Sequence, residues 1–286
     1  GRLDATNVVD RPALTAITPV SHDHQQYLGE TLPEIAGEKA GILKPGVPCV
    51  VGRQEAEALA VIRRRAAELG APLAVFGEDW TVARTGAGVS FEDADGRLEL
   101  PPPALPGAHQ VENAGIAVAL LRRLGLGAEA VAAALARAEW PARMQRLSSG
   151  PLVGRLPEGA ELWLDGGHNP SAGEAVAALL AEMAGRAPAP VHLIAGMLDT
   201  KDVRGYFAPL APHVAGAVTV PIPGTEAAIP PERLAGMVRA LGIPARPAEG
   251  VGPALGAVLS VPSASPPRIL ICGSLYLAGE VLRTHG

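Results

Sequence analysis

Aromatic residues are scarce: Phe, Tyr and Trp together make up 3% of the 286 residues. That leaves little material for the platforms on which single-stranded nucleic acids stack. It also makes the apolar content aliphatic, as in the Val/Ile/Leu cores of layered α/β proteins. Excess positive charge is missing too. Lys and Arg number 24 against 29 Asp and Glu, a net charge of −5, so no global basic field exists to neutralise nucleic-acid phosphates. The two cysteines, Cys49 and Cys272, stand in separate apolar runs. They support neither a disulfide framework nor a cysteine metal cluster, and this usage reads as cytoplasmic. No apolar stretch reaches the length of a membrane span, and no basic start followed by an apolar core appears near Gly1. Finally, no Gly-Lys dipeptide occurs, so the phosphate loop G-x-x-x-x-G-K-[ST] is not encoded in these residues.

What is present suits a folded α/β protein. The composition is 48% hydrophobic and 19% charged, outside the disordered range, and the length allows two domains with separate cores. Thirty-four Gly and 28 Pro argue for many turns. The apolar run Ala13 to Val20 reads as a buried strand ending in the polar Ser21, His22, Asp23 and His24. Thr31 is placed to cap a helix running to Ile42, followed by a strand at Val47 to Val51, a helix at Gln54 to Leu69 and a strand at Leu73 to Phe76. The triple Arg63, Arg64, Arg65 falls on that second helix as a solvated face. Trp80 to Leu100 alternates in short segments around Asp95-Gly96, which predicts a small antiparallel patch. Two helices, His109 to Leu124 and Ala128 to Ala138, meet at Gly125-Leu126-Gly127. That string matches a dinucleotide fingerprint but follows a helix, so a helix-to-helix turn is the better reading. From Arg143 onward strands and helices alternate afresh, at 162–164, 171–183, 191–195, about 202, 217–220, 232–241 and 269–272. This predicts a second parallel or mixed sheet. Domains are expected at 1–142 and 143–286.

Four features carry chemistry. Asp165-Gly166-Gly167-His168-Asn169-Pro170 ends a strand in a carboxylate, turns on glycines and starts a helix, a geometry that admits a nucleotide or anion; an ordinary capped turn is the plainer alternative. Gly196 to Asp202 is comparable, with Lys201 available to an anionic substrate and Asp202 equally readable as an N-cap. Lys39 sits near a helix C-terminus, where a cation is favoured by the helix dipole alone. His22 and His24 suit a metal or a proton transfer, without a third strong ligand nearby.

In order along the chain, GRLDATN at Gly1 to Asn7, DHQQYLGET at Asp23 to Thr31, EKAGILK at Glu38 to Lys44, PARM at Pro141 to Met144, DGGHNP at Asp165 to Pro170, GMLDTKD at Gly196 to Asp202 and CGS at Cys272 to Ser274 resemble one family. It is the folylpolyglutamate and dihydrofolate synthase branch of the Mur ligase superfamily. The resemblance implies a P-loop NTPase-like central domain, here partial, followed by a Rossmann-like α/β C-terminal domain. It implies an ATP-dependent carboxylate-amine ligase that adds L-glutamate to dihydropteroate or a folate through an acyl phosphate, with ATP and Mg²⁺ as cofactors. Such an enzyme is expected to be a cytoplasmic monomer, binding neither nucleic acid nor membrane. His24 resembles a Mg²⁺-coordinating histidine. Lys39 resembles a lysine carried as a carbamate, both catalytic and a metal ligand. Asn113 resembles the residue on the adenine side of ATP, Arg143 an arginine reaching its phosphates, and Asp165 the carboxylate on its ribose. His168, Ser274 and Lys201 are candidates for glutamate positioning, His168 with a catalytic part, while Asp4 and Thr6 border the pterin side.

The sequence also departs from the family's pattern. His22 replaces an apolar residue, Ala142 replaces a usual Gly, and Gly167 stands where Ala is common. In the family, GGRLDATN follows a segment bearing the phosphate loop and a metal-binding Glu, whereas these residues begin at the second glycine. The expectation is therefore that the 286 residues alone lack ligase activity. Two other readings are a non-catalytic nucleotide-binding relative and a cell-wall Mur ligase.

Overall fold

A computed structural model describes residues 1–2, 4–21 and 28–285. The chain divides into two units, Gly1–Ala104 with Ala108–Glu139, and Leu105–Gly107 with Trp140–Gly286.

The first unit has two small sheets. Strands β1 (Thr15–Ile17), β2 (Cys49–Val51) and β3 (Leu73–Val75) lie parallel in that order, joined through helices α1 (Leu32–Ala40) and α2 (Ala56–Leu69). The start of α1 is as the sequence predicts. Thr31 and Glu34 form a reciprocal capping box, with Pro33 in the first turn where no N–H is needed. Strands β4 (Trp80–Arg84), β5 (Val89–Asp93) and β6 (Gly96–Leu100) make the expected antiparallel sheet. Asp93 pairs with Gly96 across the turn, so the loop residues are Ala94 and Asp95, and Gly96 opens the returning strand at φ 104. Helices α3 (His109–Arg123) and α4 (Ala128–Arg137) follow, joined at the glycine turn. Ile35, Ala36 and Ile62 pack with Val51 and Val75 in one core, while Val50, Trp80, Phe91 and Val118 form another. Arg63, Arg64 and Arg65 are exposed, and Arg63 and Arg65 pair with Glu78 and Glu68.

The second unit is a doubly wound sheet. Strands β7 (Gln145–Leu147), β8 (Glu161–Leu164), β9 (Val191–Ala195), β10 (Gly216–Thr219), β11 (Ala245–Pro247) and β12 (Arg268–Cys272) are ordered β11-β10-β9-β12-β8-β7, with only β7 antiparallel. Helices α5 (Pro170–Arg186), α6 (Val203–Phe207) and α7 (Pro231–Arg239) cover one face; α8 (Val251–Leu259) and α9 (Leu275–His285) cover the other. The central strand shows why: Leu270 and Cys272 join the core with Val176, Tyr206 and Leu234, while Ile269 and Ile271 join Leu255, Val258 and Leu277. A strand buried on both faces must read as a continuous apolar run, and every residue of β12 is buried. Its one charged member, Arg268, is 4% exposed and bonds to Glu161 at 2.6 Å. Among the described residues, no helix is long and apolar enough to cross a membrane.

Candidate ligand edge

Strands β8, β12 and β9 are neighbours, and all three run the same way. Their carboxyl ends therefore lie on one edge, and those ends carry DGGHNP, Cys272-Gly273-Ser274 and GMLDTKD. Ligands in open α/β sheets bind in this position, where the strand order reverses. The outer pair of ends is separated by two strand spacings, about 10 Å. The three turns also touch. A Cβ on Gly166 would come 2.4 Å from Leu275 Cδ2, and one on Gly273, at φ 97, would come 2.7 Å from the Gly196 carbonyl oxygen. Glycine at these two places lets the loops close on each other.

Asp165 is 5% exposed. Its Oδ1 accepts from the Gly167 N–H at 2.7 Å and its Oδ2 from the Met144 N–H at 2.9 Å. His168 places Nδ1 2.9 Å from the Gly166 carbonyl oxygen. A carbonyl only accepts, so Nδ1 carries a proton and donates it to Gly166 O. Asn169 caps α5 through Ala172 N–H at 2.9 Å, with Pro170 in the first turn. Ser274 is buried, and its Oγ accepts the Tyr276 N–H at 3.1 Å, which leaves the hydroxyl proton to donate elsewhere. Lys201 is half-buried beyond β9, and Asp202 takes the plainer of its two readings, capping α6 through Gly205 N–H at 2.8 Å. The N-termini of α5 and α9 thus both open on this edge, a setting that favours anions.

Behind it, the buried Tyr206 hydroxyl lies against Cys272 and Asp165. Burial raises its pKa well above the ordinary tyrosine value, and pushes the Cys272 thiol up to about 12. Both groups are neutral; Cys272 was visible in the sequence as part of the CGS string, Tyr206 was not.

In the first unit Arg2 and Asn7 dock on the C-terminal end of α1. Arg2 N–H donates to the Glu38 carbonyl at 2.8 Å, Arg2 pairs with Glu38 at 2.9 Å, and Asn7 Nδ2 donates to Gly41 O at 3.1 Å. Lys44 Nζ donates to Asn7 O at 3.3 Å. Two strings far apart in sequence, GRLDATN and EKAGILK, so become neighbours. Asp4 accepts from both N–H and hydroxyl of Thr6; these bonds above all, with lesser help from the N-terminus and Lys39, hold its carboxyl below the usual range. Lys39, in the last turn of α1, is half-buried. Asn113 is elsewhere, exposed on α3 and bonded to Gln110 Oε1 at 3.0 Å. Its neighbour Glu112 pairs with Arg53, just past β2.

His24, with His22 and Asp23, lies outside the described residues. Among the described residues no group of three or more His, Cys, Asp or Glu is placed to hold a metal ion. The described residues do not by themselves assemble a metal centre, and the candidate ligand His24 is not among them.

Folylpolyglutamate synthase of Lacticaseibacillus casei is 31% identical over 295 residues, which cover 99% of this chain and 64% of that protein. Escherichia coli FolC in complex with DHPP and ADP superposes with a TM-score of 0.84 at 31% identity, over 99% of this chain and 63% of that one. Over nearly its whole length the chain is similar to folylpolyglutamate and dihydrofolate synthases. The fold is accordingly of the Mur ligase type. A bifunctional family member from Yersinia pestis, complexed with AMPPNP and a Mn ion, gives a TM-score of 0.81 at 30% identity, again over 99% of this chain and 63% of that one. The chain therefore spans slightly under two thirds of the length of these family members. No family model matches it.

Proposed function

We propose that this chain is part of an ATP-dependent ligase that adds L-glutamate to dihydropteroate or a folate. The observation carrying this reading is the convergence of three family strings on one edge of the second unit's sheet. Bound ATP would supply the phosphoryl group that turns the acceptor carboxylate into an acyl phosphate, an electrophile the glutamate amine can attack. The chain's own contribution is placement. Asp165 offers acceptor lone pairs to a ribose diol, and Arg143 a cation to phosphate. His168, Lys201 and Ser274 present groups suited to the two carboxylates and the amine of glutamate. Holding nucleophile and electrophile together is worth several kcal/mol of barrier, about 7–11 at best.

Asp4 and Thr6 are assigned to the pterin side, Lys39 and His24 to Mg²⁺, with Lys39 as a carbamate supplying oxygen to a hard cation. Asn113 is assigned to the adenine. The enzyme is read as a cytoplasmic monomer. Support for these assignments is positional: Asp4, Thr6 and Lys39 are close together.

The test is ATP-dependent incorporation of labelled L-glutamate into dihydropteroate and into a folate. It is run with the 286 residues alone and with the same residues joined to the phosphate-loop segment of a relative. Product from the joined protein only is expected. Product with a UDP-muramoyl acceptor instead would favour a cell-wall ligase, and nucleotide binding without product from any acceptor would favour a non-catalytic relative.

A further inference from the structure

The turn around Arg143 is built in an unfavourable conformation. Ala142 and Met144 have φ of 56° and 43°, the left-handed region that residues with a Cβ avoid. Both are buried, while Arg143 between them is exposed. A left-handed pair of this kind persists only when its surroundings over-determine it, and three hydrogen bonds do so here. Ala142 N–H donates to Gln145 Oε1 at 3.0 Å, Ala142 O accepts the Gly166 N–H at 2.8 Å, and Met144 N–H donates to Asp165 Oδ2 at 2.9 Å. Gln145 is itself fixed, because its backbone pairs with Leu164 at the end of β8. The Arg143 guanidinium has no hydrogen bond or ion pair among the described residues.

We propose that Gln145 is a positioning residue which, with the inner side of the Asp165 carboxylate, holds Arg143 extended for an anionic polyphosphate at the ligand edge. This rests on the ligase reading given above. Both neighbours of Arg143 are locked before a ligand arrives, so the backbone ordering cost is already met and binding does not carry it. Gln145 touches no ligand in this scheme; it acts through Arg143. Asp165 has the second task of tying the turn at 142–144 to the end of β8, besides facing a ribose.

The test uses the chain as it stands, in two arms. Without ligand, amide exchange at Ala142 and backbone relaxation at Arg143 are compared for the parent chain, Gln145→Ala and Gln145→Glu. Gln145→Ala is expected to speed Ala142 exchange about tenfold, the loss of one hydrogen bond, and to loosen Arg143. Gln145→Glu keeps the acceptor oxygen and is expected to restore both. In the second arm ADP is titrated. Gln145→Ala is expected to weaken binding about three- to tenfold, with no further loss when added to Arg143→Ala, since the two act as one unit. An Ala142 amide as protected in Gln145→Ala as in the parent chain would overturn the proposal. So would losses that simply add to those of Arg143→Ala. If the parent chain binds no ADP, the nucleotide reading fails, and the ligand-free arm still decides whether Gln145 orders Arg143.

Discussion

Asp165→Asn tests the geometry of the ligand edge most sharply, since the change keeps shape and removes one acceptor. Each Asp165 oxygen receives a backbone N–H, from Gly167 at 2.7 Å and from Met144 at 2.9 Å, in a site 5% exposed. An asparagine amide has a single acceptor oxygen and an NH₂ that only donates. Whichever way it turns, one N–H faces another donor. A hydrogen bond to a charged group contributes about 1.5–3 kcal/mol, and loss on the Met144 side also releases the left-handed backbone at φ 43°. The expected cost to the second unit is ~2–3 kcal/mol. For a unit of about 150 residues, each kcal/mol moves the thermal midpoint by roughly 2–4 °C, giving a drop of about 4–12 °C. Thermal unfolding followed by intrinsic fluorescence reads it, with Trp163 two residues from the site. A midpoint within about 1 °C of the parent chain would show that the carboxylate is not the strut described here.

The remaining predictions concern packing, pH and reactivity. Two Gly→Ala changes in α5 should have opposite signs in urea unfolding. Gly173→Ala would put a Cβ 2.3 Å from the Tyr206 carbonyl oxygen and cost about 1–3 kcal/mol, whereas Gly185→Ala meets nothing and should gain up to ~1 kcal/mol; equal effects would refute the packing argument. Burial opposes ionisation of Glu161, but hydrogen bonds from Arg268 and Trp163 and the charges of Arg268 and Arg146 outweigh it, leaving its pKa below 4.5. A depressed folded-state value gives stabilisation that is complete above the unfolded pKa and is lost as pH falls through the folded one. Acid titration of stability should therefore steepen below about pH 4.5, and Glu161→Gln should flatten that limb. Burial pushes Cys49 to about 11 and Cys272 to about 12, so a disulfide reagent at pH 8 should titrate neither thiol in native protein and both in urea. In the joined ligase, Lys39→Ala should abolish most turnover and Lys39→Arg should not restore it, because guanidinium does not form the same carbamate; near-normal rates would return Lys39 to a plain helix-end cation.

How far the sequence revealed this molecule depends on how local each signal is. Thr31, Asn169 and Asp202 were legible as caps because a cap is made by a residue and its next few neighbours. The strand β12 was legible from its apolar run Ile269 to Cys272, and β9 from Val191 to Ala195, which His192 alone interrupts. Four elements were not. β7 is a three-residue antiparallel edge, and β11, Ala-Arg-Pro, is an exposed edge strand with no alternation to read. α8 contains Gly252, Pro253 and Gly256, which read as breakers, yet Pro253 lies in the first turn where its missing N–H costs nothing. α9 runs directly from the Cys272-Gly273-Ser274 string without a separate start signal. At the ligand edge the strings were visible individually. Their adjacency was not, because β12 inserts between β8 and β9 only after the chain has built β10 and β11. The usual Gly at position 142 also gains a physical reason: φ there is 56°, and alanine holds it only with help from Gln145 and Gly166.

Amide chemical shifts during titration with ADP, and separately with L-glutamate, test the central claim directly. Saturable shifts are expected at residues 142–145, 165–169, 196–202 and 273–276, with Asn113 added for ADP, and the ADP shifts are expected to vanish in Asp165→Ala. Shifts gathered instead at the opposite end of the sheet, around His192 and residues 260–267, or no saturable shift with either ligand, would contradict it.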